Sequence, residues 1–370
     1  MSKALSQKEK EALLLLDQSE DIGAKTLLKV IHHYKSDVSK VLTDSQKNLA
    51  KFFDSTSVEK IVQARSGKIE NKVYTQFKIK PVFWGDKEYP KLLAEIYDPP
   101  IILYCRGNIK LLDSICLAIV GSRKHTYYSK SVLESVIPLL VSAKMTIVSG
   151  LALGVDGLAH YLTLENSGNT IGVLGSGVDN IYPTANHQLA ARILESGGLI
   201  LSEYPPGSRP YKSNFPLRNR IIAGLSVGTL IIEARHDSGS LITAGLANEY
   251  GREVFSVPGN IDNFASEGTN TLIKQGAKMV TSADDILSEL NIESISPENL
   301  LLEPQNKEEE LIFSLLEKGA LPVDKIAKET SLDIVTINSL MSVLEISGKV
   351  EKIDTGFKLK GKLKQNKGAK

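Results

Sequence analysis

Only two cysteines, Cys105 and Cys116, occur in the 370 residues. Two cannot build a disulfide framework or a cysteine-rich zinc site. Cys116 opens an apolar run and reads as a small core residue. An excess of charge is missing too: 44 Lys and Arg against 43 Asp and Glu leave a formal net charge of +1. A polyanionic partner would therefore have to be held by a local patch. No apolar run approaches the roughly 18 residues of a membrane span, and the first residues lack a signal-peptide layout. A cytoplasmic protein without membrane contact is expected. No HExxH occurs, and the neighbouring His32 and His33 would point apart on a helix, which makes them a poor ligand pair. The Gly-Lys-Ser/Thr ending of a P-loop is absent. Gly175-Ser-Gly177-Val-Asp-Asn180 holds two glycines of a dinucleotide fingerprint, with Asn180 in place of the third, and it follows the third strand rather than the first. No NAD or FAD, and no other cofactor, is expected.

What is present is enough apolar residue, 42%, to fill real cores, spread over a length that suits two or three domains. Residues 1–75 read as a small helical domain. Within it, Asp21-Ile-Gly-Ala-Lys-Thr-Leu-Leu-Lys-Val-Ile31 looks like a Gly turn feeding an amphipathic helix, either a helix-hairpin-helix element or a plain helical bundle. Phe77–Trp84 and Pro99–Tyr104 suggest an extended edge. From Ile115 short apolar runs recur at Cys116–Val120, Met145–Val148, Thr170–Leu174, Leu199–Leu201, Thr229–Ile232, Glu253–Val257 and Lys278–Val280, most of them separated by helical segments. Runs without clean alternation are buried on both faces, so residues 76–288 should form a doubly wound, Rossmann-like α/β domain with a mostly parallel sheet. A linker is expected over 289–307, then three helices and a hairpin over 308–361, the layout of a winged helix, and a basic tail over 362–370. The third of these helices opens with Asp333, Ile334, Val335 and Asn338 and has no Arg or Lys, so protein contact competes with duplex DNA as its role.

The chemistry gathers at the predicted strand ends. The first leads to Gly121-Ser122-Arg123, the second to Ser149-Gly150, the third to Gly175-Ser-Gly177, and the fifth to Glu233 with Ser238-Gly239-Ser240 beyond. In an open parallel sheet such ends converge on one crevice near the switch in strand order. Small residues at a helix start expose backbone N–H groups to an anion. Between Pro205 and Arg220 lie four cations (Arg209, Lys212, Arg218 and Arg220), no acid, and the aromatics Tyr211 and Phe215. Cations beside aromatics suit a single strand of nucleic acid, whose phosphates need charge and whose unpaired bases need a flat surface. Phe215 by itself fits a core position equally well. His160 reads as a structural hydrogen-bonding residue, Glu233 as a buried carboxylate bracing the Ser/Gly loop, and Tyr182 and Asn186 as fixing the turn after the third strand.

Ala118-Ile-Val-Gly-Ser-Arg123, Ser149-Gly-Leu-Ala-Leu-Gly-Val-Asp156 with Ala159-His160, and Val173-Leu-Gly-Ser-Gly177 with Tyr182-Pro183 continue into Ser202-Glu-Tyr-Pro205 and Phe215-Pro-Leu-Arg-Asn-Arg-Ile-Ile-Ala-Gly-Leu-Ser226. Ser238-Gly-Ser-Leu-Ile-Thr-Ala244, Val257-Pro-Gly259 and Gly268-Thr-Asn270 follow in order. This series resembles the DNA-processing protein A (DprA/Smf) family over most of residues 80–282, and the flanking regions resemble its small SAM-like helical domain and its winged helix in layout. Ala185 departs from the acidic residue frequent before the Asn. The resemblance implies a non-enzymatic protein that binds single-stranded DNA, dimerises through the Rossmann-like domain and loads the recombinase RecA onto incoming strands in natural transformation. Some members of the family also displace single-strand-binding protein. It further implies that Arg123 clamps a phosphate, Lys212 meets its neighbour, and Phe215 stacks on a base or sugar. Arg218, Asn219 and Arg220 would line the same groove, with one of the two arginines open to a bracing role. Backbone N–H groups near Ser149, Gly150, Gly175 and Gly239 would complete the cradle. The rival is an enzyme: Gly224-Leu-Ser-Val-Gly-Thr-Leu-Ile-Ile-Glu233 partly resembles the glycine-rich signature of phosphoribohydrolases, with Leu225-Ser226 breaking it. No Ser-His-Asp arrangement and no paired acid–base carboxylates accompany it.

Overall fold

A computed structural model describes residues 5–19, 22–35, 37–69, 71–292, 301–302, 304, 306–330, 332–346, 349–353, 355–359 and 362–363. They form two compact units, Met1–Ile292 and Glu293–Lys370.

The first unit is built on a nine-stranded sheet. Its strands are β1 (Ile79–Phe83), β2 (Ile102–Gly107), β3 (Cys116–Val120), β4 (Thr146–Ser149), β5 (Thr170–Leu174), β6 (Leu199–Ser202), β7 (Gly228–Ile231), β8 (Glu253–Ser256) and β9 (Lys278–Met279). The order is β1-β2-β6-β5-β4-β3-β7-β8-β9. From β6 to β9 every pairing is parallel, whereas β2 runs antiparallel to both β1 and β6. The chain starts its parallel part at β3, adds strands on one side through β6, then returns to β3's other side with β7. That reversal makes the carboxyl ends of β3, β4 and β7 the switch point of a doubly wound fold. Every residue of β3, β4, β5, β6 and β7 is buried, which is why these strands read as unbroken apolar runs. The two antiparallel strands extend the sheet at the edge where the sequence alternates.

The helical segment before β1 is held to this sheet by a shared core. Ser6 starts the helix Gln7–Asp17 with a reciprocal capping box to Glu9. Leu13 and Leu16 from that helix and Leu27 from the helix Ala24–His33 are almost wholly buried in a cluster that includes Ile101, Ile102, Tyr104 and Ile200 of the sheet. Each such side chain contributes roughly 1.5–3 kcal/mol by leaving water, so the segment is anchored by packing. Gly23 begins the second helix without a side-chain cap.

The second unit holds helices Lys307–Leu316, Val323–Thr330 and Ile334–Ile346 and an antiparallel hairpin of Val350–Ile353 with Gly356–Leu359. Ile312, Phe313, Ile326, Ile337, Met341 and Val350 form its core. Leu301–Leu302 pairs in parallel with Lys362–Leu363, a short ladder where part of a linker and part of a basic tail were expected. Residues 293–300 of the expected linker and 364–370 of the expected tail lie outside the described residues. Along the third helix Ile334, Val335 and Val343 are exposed, and Lys349 just after it is paired with Glu309 at 3.0 Å. Among the described residues no helix is long and apolar enough to cross a membrane.

Candidate nucleic-acid interface

A cavity of about 550 Å³ opens at the switch point. Its walls come from the end of β3 (Gly121, Arg123), the β4 loop (Ala152, Asp156), Lys212, and the helix Asn214–Leu225 (Phe215, Arg218, Asn219). The N-terminus of the helix Gly239–Glu249 closes it with Ser238, Gly239 and Ser240. The structure therefore gathers around one space residues that lie more than a hundred positions apart in the chain.

The loops are held by close backbone approach. Gly154 sits at φ +80° just before the helix Val155–Glu165, and a Cβ there would lie 2.2 Å from Ser122 O. Only glycine lets the β4 loop meet the β3 loop, and the Val155 N–H then donates to Ser122 O at 3.0 Å. Ser122 itself closes its turn through Lys124, leaving Arg123 exposed on the rim. Ser238 Oγ caps the helix by accepting from Ser240 N at 3.3 Å.

The cations divide into two kinds. Arg123 and Lys212 are exposed on the cavity walls, free to follow a polyanion. Arg218 is only 4% exposed. Its Nη1 donates to Gly150 O at 2.7 Å and also to Val173 O, and its Nε donates to Asn219 Oδ1 at 3.3 Å. Asp156 supplies the matching charge: burial pushes its carboxyl up, while Arg218 and the Gly150 N–H, 3.1 Å away, pull it back. Burial draws Arg218 down to about 10, so it stays charged at neutral pH. Gly150 makes room for this pair, since a Cβ would lie 2.6 Å from Arg218 Nη2 and 2.7 Å from Asp156 Oδ2. Arg218 is thus the floor of the cavity and braces the ends of β4 and β5 at once.

Phe215 is half-buried and faces the cavity beside Tyr182, their ring centroids 5.5 Å apart. Tyr182 is 46% exposed and lines the cavity, where the sequence suggested only a turn-fixing role. Its signal was present as an aromatic after the third strand, but nothing in the spacing placed it opposite Phe215. Asn219 donates to Gly239 O at 3.4 Å and so ties the two walls together.

Several expected site residues act elsewhere. Arg220 is buried and takes no part in the cavity: it bonds Glu203 at 2.5 Å and Asp98 at 3.1 Å. Helical geometry explains this, because residues two apart on a helix face away from each other, so Arg218 and Arg220 cannot share a groove. Ser149 is buried, with its Oγ donating to Ile119 O at 2.6 Å, and the Gly150 N–H is taken by Asp156. Neither offers a donor to a ligand. Gly175 makes room for Phe215, whose Cδ1 would lie 3.1 Å from an added Cβ, and the Gly177 N–H is taken by Ser208 O at 3.0 Å. Glu233 is buried and accepts from Thr126 Oγ1 at 2.7 Å and Thr126 N at 3.3 Å. It therefore braces the start of the helix Tyr127–Ser142 rather than the Ser/Gly loop. Asn186 donates to Leu151 O and Ala152 O, both at 2.9 Å, reaching across to the β4 loop rather than fixing its own turn. His160 bonds Thr170 Oγ1 at 2.6 Å, and burial pulls it down to about 3, a neutral structural imidazole. Cys116 is buried in the core. No cluster of metal-ligating side chains occurs among the described residues.

The family model described as DNA recombination-mediator protein A matches residues 80–291, and that of the DprA winged helix domain matches residues 296–354. Protein Smf of Escherichia coli is 40% identical over 277 residues, covering 73% of this chain and 74% of that protein. The DNA processing protein DprA of Streptococcus pneumoniae is 48% identical over 204 residues, covering 55% of this chain and 72% of that protein. The X-ray structure of DprA from S. pneumoniae superposes with a TM-score of 0.67 at 37% identity, over 77% of this chain and 99% of that one. A structure of DNA processing protein A from Helicobacter pylori, which gives insight into that protein's single-stranded DNA binding mode, superposes with a TM-score of 0.53 at 36% identity, over 59% of this chain and 97% of that one.

Proposed function

The chain belongs to the DNA recombination-mediator protein A family, and from that premise we propose that it binds single-stranded DNA in the cavity at the switch point of its sheet. The observation that carries this reading is the joint presence there of two exposed cations, Arg123 and Lys212, a half-buried ring, Phe215, and a helix N-terminus. Free cations bind phosphates. A partly exposed ring beside them offers a stacking surface that every base can use. The N-terminal end of that helix adds a favourable field for an anion. A base on Phe215 would be flanked by Tyr182 on one side.

The wider role expected from the resemblance is part of the same proposal. The protein would protect incoming strands in natural transformation and pass them to the recombinase RecA, acting as a cytoplasmic homodimer through its Rossmann-like domain and displacing single-strand-binding protein. It would do so without catalysis. The enzyme reading needed Glu233 and an arginine at a sugar, and Glu233 is instead bonded to Thr126. The domain limits read from the sequence, with the helical segment ending near residue 75, are retained within this proposal.

Fluorescence anisotropy over a salt series, with a labelled single strand and a duplex of equal length, tests the binding step. The single strand should bind more tightly than the duplex. Lys212→Ala should weaken it and reduce the salt slope by roughly 0.7, the value for one lost phosphate contact on a single strand. Equal binding of both polymers, or an unchanged slope, would remove the cavity from the proposal.

A further inference from the structure

A second cavity, of about 850 Å³, lies on the other side of the Tyr204–Asn214 segment, between the end of β6 and the N-terminal helices. The two cavities adjoin through the chain. Lys212 and Phe215 line the first, whereas Tyr211 and Asn214 line the second. A strand on Phe215 that continues past Lys212 in the direction of Tyr211 would reach the second cavity.

Its chemistry is opposite to that of the first. Asp17 and Glu203 line it together. Asp17 accepts from Tyr104 Oη–H at 2.6 Å. Glu203 Oε2 accepts from Arg220, but its Oε1 has no hydrogen-bond partner in a side chain that is only 9% exposed. Burial pushes Asp17 up to about 7, with Glu203 adding to the rise, and burial raises Glu203 too. Glu203 thus keeps one oxygen without a donor, with a second carboxyl beside it, so an occupant that relieves it must donate a hydrogen bond and must not be an anion at that point. The aromatic walls Tyr204 and Tyr211 suit a flat ring, Tyr211 being 61% exposed, and the exposed Arg209 near the mouth suits the phosphate that carries the ring.

We propose that this cavity is a base pocket that takes a guanine splayed out from the same single strand, with its ring N1–H and its N2 amino group donating to the Asp17 and Glu203 carboxylates. Among the bases only guanine sets a ring N–H beside an amino group on its pairing edge. Cytosine and adenine place a ring acceptor beside the amino donor, and thymine flanks its single N–H with two carbonyls that the carboxylates repel. Unstacked bases of single strands are read in this way, by stacking on aromatics and by hydrogen bonds to the pairing edge. The inference rests on the reading above that a single strand occupies the first cavity.

The test compares a thymine-only DNA strand with the same strand carrying one guanine, placed at each position in turn, by competition anisotropy with the full-length protein. One register should bind about fivefold more tightly or better than thymine alone, the lower end for a two-donor base contact. In Asp17→Asn the ratio between the two strands should collapse towards one. Tyr211→Ala, a surface change that leaves the fold intact, should reduce the ratio as well and keeps the test open if the Asp17 variant fails to fold. No register with a preference, while the thymine strand still binds through Lys212, would overturn the base pocket and leave the first cavity standing. If neither strand binds, both readings fall. Preference for guanosine monophosphate over thymidine monophosphate, without a difference between the strands, would assign the cavity to a free nucleotide and overturn the proposal.

Discussion

The two cavities flank one stretch of chain, yet their floors obey different electrostatics. In the first, the buried charge is matched: Asp156 faces Arg218, and each has hydrogen bonds to the strand ends around it. In the second, Asp17 has a phenol for a partner and a second carboxylate nearby. A matched floor stabilises the fold and is ready before a ligand arrives. An unmatched floor lowers stability and leaves acceptors for something else to satisfy. Deleting a charge should therefore have opposite signs at the two places.

The largest effect is expected at Arg218. Arg218→Ala leaves Asp156 buried without its counter-charge and frees two strand-end carbonyls, so it should cost about 3–5 kcal/mol of stability. Thermal and denaturant melts measure this, and a loss below 1 kcal/mol would show that the floor is not the brace described here.

Asp17→Asn should act the other way, by up to a few kcal/mol. A carboxyl with a folded pKa of about 7 against an ordinary 3.8 holds its proton more tightly in the native state. Its stabilising contribution is full below pH 3.8, is lost as pH rises towards about 7, and is absent above that. The variant should thus melt higher than wild type at pH 8 and show a flatter stability profile between pH 4 and 7. A variant that melts lower at pH 8 would mean that Asp17 is matched after all.

Smaller effects belong to the ligand. Phe215→Ala should weaken single-strand binding by about 1–3 kcal/mol, the usual worth of a stacked base, with an unchanged salt slope. If the slope changes instead, Phe215 shapes the position of a cation and does not stack. Arg123→Ala should show the complementary pattern: a drop in affinity of about tenfold or less at moderate salt that fades as salt rises, with a slope lower by roughly 0.7. Binding measured at two salt concentrations separates the pair.

Much of this molecule was readable along the chain. The seven apolar runs from Cys116 to Val280 correspond to β3–β9; for β3–β7 the reason is that strands buried on both faces leave an unbroken apolar signature. Gly121, Arg123, Lys212, Phe215, Asn219 and the Ser238–Ser240 turn come together at the switch point, since a parallel sheet brings strand ends to one edge. The four-cation stretch was legible as a patch, but its sequence is silent on which cations are free. Helical spacing splits Arg218 from Arg220, and burial by the β4 and β5 ends turns Arg218 inward.

Glycines misled for a related reason. A glycine after a strand signals close approach, but the approaching group can be a ligand or the protein itself. At Gly150 it is the Arg218–Asp156 pair and at Gly175 it is Phe215. Composition and periodicity by themselves determined the α/β class, the helical flank, the layout of the last unit and the cationic loop, because these depend on local pattern and burial. Tertiary structure alone decided which carboxylates are matched and which are not. Asp17, bonded to a phenol, and Glu203, which pairs with Arg220 through one oxygen and keeps the other without a partner, lie far apart in the chain and share one floor only when the N-terminal helix packs beside the end of β6. Desolvation depends on what surrounds a group in space, and no spacing along the chain encodes it.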